Sequence, residues 1–191
     1  MHKKIGILAV QGAFAEHIIS LNRLNIDCFE IRKKSDLTNN SIDGLILPGG
    51  ESTVIGKLLY ELDMFETMQH QILNGLPVFG TCAGLILLAK YISNNTKTYL
   101  ASMDIVARRN AYGRQIGSFN TNSYFKDVGE IPMTFIRAPY IEKVSKEVEV
   151  LATIDNNIIA ARQNNMFVTS FHPELTSNLQ VHEYFLNNIV T

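Results

Sequence analysis

The chain has 191 residues, 46% of them hydrophobic and 18% charged, which is apolar material enough for one well-buried domain. A net charge of −1 offers no footprint for nucleic acid or an anionic membrane surface, and no apolar run approaches the length of a membrane span. Two cysteines, Cys28 and Cys82, cannot build a disulfide framework, so a reducing, cytoplasmic setting is expected.

The opening "MHKKIGILAVQGAF" imitates a secretory signal, but its apolar run is short and Gln11, Glu16 and His17 follow at once. "KKIGILAV" reads instead as a buried strand, and "QGAFAEHIISLNRLN" as a turn entering a helix with Phe14, Ile18, Leu21 and Leu24 on one face. "IDCFEIRK" reads as a second strand and "DGLILPGGEST" as a third that ends in a glycine loop, after which Ser52 or Thr53 can cap a helix. "LPVFGTCAG" turns a fourth strand into a helix that places Leu85, Leu88 and Ala89 at helical spacing. Strand and helix thus alternate four times, the rhythm of a parallel sheet covered on both faces. The second half is different, with short strands in "DIVARRNAYGRQIGSFNTNSYF", "MTFIRAPYIEKV", "VEVLATI", "IIAARQ" and "MFVTSFHPE". Asn156-Asn157 and Asn164-Asn165 suit hairpin turns, because asparagine tolerates the left-handed region. A closing helix in "TSNLQVHEYFLNNIV" carries Val181, Phe185 and Ile189 on one face. No repeat or linker interrupts the chain, so a single α/β domain with antiparallel strands added to a parallel core is expected.

Cys82 stands in the pattern G-x-C-x-G, the thiol form of the nucleophile elbow, which lifts a reactive side chain above a sheet edge. The thiolate is the reactive form, and a helix N-terminus or an imidazole nearby favours it. The same position also suits a small buried cysteine at a crowded corner. Of five histidines, His2 lies at the frayed start, His17 and His182 lie within helices, and His70 lies in a polar helical stretch; all four read as structural. His172 differs, because Pro173 holds it extended and Glu174 projects to the same side. A carboxylate beside imidazole fixes its tautomer and leaves the other ring nitrogen for a thiol. A strand end with two solvated polar groups is the plainer alternative. The backbone amides of Gly49 and Gly50, with that of Ala83, can form an oxyanion hole; an ordinary strand-to-helix turn also fits that loop. Neither a phosphate-binding glycine motif nor metal-ligand spacing is present.

Together, "IGILAVQGAFAEH", "LILPGGEST", "FGTCAGLILLAK", "RNAYGRQ", "FIRAP" and "SFHPEL" resemble the class I glutamine amidotransferases, and within them the glutaminase subunits of pyridoxal 5′-phosphate synthase. Leu85-Ile86 after the elbow, where other such glutaminases usually carry a glutamine, favours that vitamin B6 branch. The resemblance implies a mostly parallel central sheet with a flavodoxin-like core, flanked by helices and extended by antiparallel strands, in one glutaminase domain over 1–191. It implies hydrolysis of L-glutamine to glutamate and ammonia through a thioester, with Cys82 as nucleophile and His172 and Glu174 completing a triad. Gly50, Glu51, Ser52, Arg109, Ile136 and Arg137 would hold the glutamine. A guanidinium suits its α-carboxylate through a bidentate fork, although "ARR" alone also fits a solvated strand edge. Gln11 and Gly12 would meet the synthase (lyase) subunit, which receives the ammonia in a hetero-oligomer by a shielded route. Pyridoxal phosphate is that partner's product, so no cofactor is assigned. Tyr112 stands where phenylalanine is expected. Two other readings are a DJ-1-like cysteine hydrolase and a non-catalytic glutaminase-like binding module.

Overall fold

The computed structural model describes residues 3–93, 95–109 and 117–190. Its first half runs β1 (Lys4–Leu8), α1 (Phe14–Arg23), β2 (Asp27–Ile31), α2 (Lys34–Thr38), β3 (Gly44–Leu47), α3 (Ser52–Glu61), α4 (Phe65–Leu73), β4 (Val78–Thr81) and α5 (Ala83–Leu88). Then come β5 (Ala89–Ile92), β6 (Met103–Arg108), β7 (Ser118–Phe125), β8 (Gly129–Ile136), β9 (Tyr140–Val144), β10 (Glu149–Ile154), β11 (Asn157–Gln163), β12 (Met166–Thr169) and α6 (Gln180–Asn188). Among the described residues, the main sheet has ten strands in the order β2-β1-β3-β4-β12-β11-β9-β6-β5, with β10 on β11. The run from β2 to β12 is parallel and follows the flavodoxin order, with the last strand in fifth place. From β12 onward β11, β9 and β10 pair antiparallel, and β5 lies parallel to β6 at the far edge. The hairpin β7–β8 forms a separate two-stranded ribbon.

Alternation along the strands makes two cores. Leu45, Leu47, Val78 and Val168 face one side, with Ile55 and Leu59 of α3, Met68 of α4 and Leu85 of α5. Ile46, Phe79 and Phe167 face the other, with Leu21 of α1 and Val181, Phe185 and Ile189 in and beside α6. Phe14, Ile18 and Leu24 pack on this second core, as the spacing along α1 predicts. Among the described residues no helix is long and apolar enough to cross a membrane.

Four local expectations need correction. Ser52 does not cap α3: Glu51 holds the cap position in an extended conformation, and Ser52 is already in the first turn, its hydroxyl buried and without a hydrogen-bond partner among the described residues. Ala89 is not helical, because the chain turns extended there (φ −60°, ψ 130°) and starts β5. One asparagine turn is shifted by a residue, with Asp155 and Asn156 at positive φ and Asn157 opening β11. Glu174 reaches the side of His172 through the single 3-10 turn Pro173–Leu175 rather than through an extended chain. Tyr112 lies outside the described residues.

Candidate active site

The elbow is built by close approach. A Cβ on Gly80 would lie 2.7 Å from the backbone carbon of Gly84, and one on Gly84 would lie 2.2 Å from the carbonyl oxygen of Leu47 in β3. Glycine at both positions therefore lets α5 fold down over β3 and β4. Between them Cys82 is forced to φ 48°, ψ −95°, outside the ordinary regions for a side-chain-bearing residue. Such strain costs on the order of 1–3 kcal/mol and persists only where the surroundings impose it. Here they do: the Cys82 N–H donates to Thr169 in β12 at 2.8 Å.

The same pairing of β4 with β12 delivers the imidazole. His172 follows β12, its N–H donates to the Thr134 carbonyl of β8 at 2.8 Å, and its Nδ1 stands 2.7 Å from Glu174 Oε1. The Cys82 thiol lies close enough to the ring to influence its titration. Burial alone would lower the His172 pKa, but the hydrogen bonds to Cys82 and Glu174, reinforced by their charge, outweigh it and raise it to about 10. Cys82, His172 and Glu174 are all buried, and the thiol lies 3.9 Å from the Ile136 carbonyl oxygen.

The glycine loop closes over this line. A Cβ on Gly49 would lie 2.2 Å from His172 Cε1, so the loop backbone rests on the imidazole. The loop is held from the other side by the segment after β1. Ala13 N–H donates to the Gly49 carbonyl and Glu51 N–H donates to Gln11 Oε1, both at 2.9 Å. Gly12 sits at φ +99°, and a Cβ there would lie 1.9 Å from the Gly49 oxygen. Gln11 and Gly12 thus touch the loop where strand order reverses between β1 and β3, the usual ligand crevice of such sheets. Ala83 is buried in the first turn of α5, whose leading amides have no helical partner. Arg109, half-buried, donates to Thr53 Oγ1 at 3.2 Å beside the start of α3. Arg137 is exposed at φ 43°, with its N–H on the Gly117 carbonyl at 2.7 Å. The structure therefore gathers Cys82, His172, Glu174, Gly49 and Ile136 at one point and packs Gln11, Gly12, Gly50 and Glu51 behind them. Among the described residues no hydrogen bond or ion pair joins Arg109 or Arg137 to the thiol.

Three neighbours were not legible as site residues. His17 of α1 and His182 of α6 are fully buried and face one another, Nδ1 to Nε2, at 3.0 Å. His17 Nε2 lies 3.1 Å from Thr81 Oγ1 and 3.5 Å from Glu174 Oε2. Position was the available signal, since 14, 17, 21 and 24 share one helical stripe, as do 182, 185 and 189.

A parallel sheet with a cysteine on a strained turn after a central strand and a carboxylate-held imidazole after the next is the build of an α/β enzyme. More particularly, the chain belongs to the SNO glutamine amidotransferase family, whose model matches residues 7–191. It is 58% identical over 186 residues to the pyridoxal 5′-phosphate synthase subunit PdxT of Haemophilus influenzae (strain PittEE), covering 96% of this chain and 97% of that one. The subunit of the same name from Streptococcus pneumoniae (strain CGSP14) is 57% identical over 185 residues, covering 96% and 95%. A solved glutamine amidotransferase matches with a TM-score of 0.90 at 41% identity, covering 95% of this chain and 96% of that one.

Proposed function

We propose that the chain is a single-domain glutaminase that hydrolyses L-glutamine and passes the ammonia to a pyridoxal 5′-phosphate synthase subunit. The observation that carries this reading is the His172 Nδ1–Glu174 Oε1 contact of 2.7 Å, held beside the elbow cysteine by the pairing of β4 with β12. The thiolate of Cys82 attacks the side-chain amide carbon of glutamine, and the carbonyl electrons move onto oxygen. Amides of Ala83 and of the Gly49–Gly50 loop receive that oxyanion. The imidazolium of His172 gives its proton to the leaving nitrogen, the C–N bond breaks, and ammonia departs from a thioester. The neutral imidazole then takes a proton from water, which attacks the thioester; the C–S bond breaks and glutamate leaves. Glu174 keeps the ring in the tautomer that both halves need.

Arg109 and Arg137 hold the α-carboxylate from the rim, with Glu51, Ser52 and the Ile136 carbonyl around the rest of the amino acid. Gln11 is the point through which a partner reaches the site. Its amide oxygen holds the Glu51 N–H, and the neighbouring Ala13 N–H holds the Gly49 carbonyl. Pressure on that segment is transmitted to the oxyanion donors, one of which is worth about a hundred- to a thousandfold in rate. The two free cysteines suit the cytoplasm, where we place the chain.

The test is glutamate release by the chain alone and with a synthase subunit, for wild type, Cys82→Ala, Cys28→Ala and Gln11→Ala. Wild type is expected to be slow alone and fast in the complex. Cys82→Ala should be inactive by a factor on the order of a million, and Cys28→Ala unaffected. A Cys82→Ala chain retaining a tenth of wild-type turnover overturns the assignment, and equal wild-type rates in both states overturn activation by the partner.

A further inference from the structure

The buried pair His17–His182 is out of reach of substrate, yet it touches two parts of the site at once. Glu174 uses Oε1 on His172; its Oε2 is buried and makes no hydrogen bond among the described residues, and His17 Nε2 faces it at 3.5 Å. The same His17 nitrogen lies 3.1 Å from the hydroxyl of Thr81, the residue before the nucleophile. We propose that His17 is a positioning residue of the glutaminase site, its Nε2–H bridging the elbow at Thr81 and the free oxygen of Glu174, with its tautomer set by His182.

Two independent arguments put the proton on Nε2. A lone pair there would face a buried carboxylate oxygen, whereas an N–H offers that oxygen the donor it lacks. The second argument comes from the far end of the pair. His182 Nδ1 is buried and has no hydrogen-bond partner among the described residues. If His17 carried its proton on Nδ1 and donated it to His182 Nε2, the His182 proton would sit on Nδ1 as an orphaned donor. With the opposite order, His182 Nε2–H donates to His17 Nδ1, and only a bare acceptor is left unmatched, which costs less. Both rings are neutral. Burial first, then the nearby His182 and His172, hold His17 well below its ordinary pKa, and burial lowers His182 to about 4. Their surroundings are aromatic, with Phe79 edge-on to both rings and 5.9 Å from His17. The 3.5 Å gap to Oε2 is longer than a hydrogen bond, as catalytic contacts often are before they tighten with substrate bound.

This inference rests on the glutaminase reading, and its test has one arm that does not. In the chain with its imidazoles labelled with 15N, the nitrogen shifts of His17 and His182 are expected to report neutral rings protonated on Nε2. A proton on His17 Nδ1 overturns the proposal whether or not glutamine is turned over. In the second arm, glutamate release with the synthase subunit is measured for His17→Phe and His17→Gln, whose folds are checked by circular dichroism. His17→Phe fills the space without a donor and is expected to lower kcat about ten- to a hundredfold with KM unchanged, the loss that follows when a buried carboxylate is left without its donor. His17→Gln, which carries an N–H near the Nε2 position, should restore most of that loss. Equal kcat values in His17→Phe and wild type, or equal losses in both variants, overturn the proposal. If His17→Phe does not fold, the labelled wild-type chain decides alone.

Discussion

Replacing Gly49 by alanine tests how closely the glycine loop holds the imidazole. The new Cβ would lie 2.2 Å from His172 Cε1 and 2.9 Å from Nδ1. Gly49 is not among the residues at positive φ, so alanine carries no backbone penalty of that kind. Relief must come from the imidazole, the mobile end of a side chain, and an ordinary contact of 3.4 Å asks it to retreat by about 1.2 Å. That movement spoils the 2.7 Å contact with Glu174 and the alignment with the thiol together. A misplacement of about 1 Å at a reacting group costs roughly a hundredfold. Gly49→Ala is therefore expected to lose about two decades of kcat in the synthase complex with KM near wild type. Its stability should fall as well, by about 1–3 kcal/mol, because the new Cβ overpacks two buried residues. A variant that keeps kcat within about threefold would refute the claim that loop and imidazole are in mutual contact during turnover.

Gly84→Ala should act first on the fold, because its Cβ meets the Leu47 carbonyl oxygen at 2.2 Å and backbone cannot swing aside; a urea midpoint equal to wild type contradicts this, against an expected loss of about 1–3 kcal/mol. Cys82→Ala removes one of the two partners that raise the His172 pKa against burial, so an NMR titration should find that pKa below its present value of about 10; an unmoved titration removes the thiol as a cause. Acid should destabilise the fold through the buried pair. His182 titrates near 4 when folded and near 6.5 when free, so the unfolded chain binds more protons between those limits and stability falls with pH across them, by on the order of 3 kcal/mol at the lower end. His17, lowered by burial and then by His182 and His172, adds to the same loss, and a His182→Phe variant with the wild-type slope refutes the attribution. Arg109→Ala and Arg137→Ala are expected to raise the glutamine KM chiefly, and unchanged saturation curves in both would take them out of the site.

What could be read from the sequence was local. The elbow is legible because two glycines flank one cysteine, and the His-Pro-Glu step because proline and a two-residue spacing constrain each other within three positions. The parallel half of the sheet follows from the alternation of apolar runs and amphipathic segments. Two of the misread features depend on partners far along the chain. Ser52 looks like a cap until Glu51 is seen in the cap position with its N–H on Gln11, 40 residues before it. His17 and His182 look structural because 165 residues separate them, and only the packing of α1 and α6 on the same face of Phe79 makes them a pair beside Glu174.

The position of β12 fixes the order in which the molecule can be completed on the ribosome. It is the final strand described, yet it lies between β4 and β11 in the middle of the sheet. The thiol at position 82 is synthesised about 90 residues before the imidazole at 172, a delay of roughly 5–20 s at ordinary elongation rates. Until β12 slots in, β4 offers an open edge suited to pairing with another chain, and that edge carries the elbow at its end. A nascent chain therefore holds the Cys82 thiol with neither His172 nor Glu174 beside it. The cluster of Cys82, His172 and Glu174 is assembled only when β12 closes the sheet, and a chain stopped before β12 keeps an open edge prone to stick.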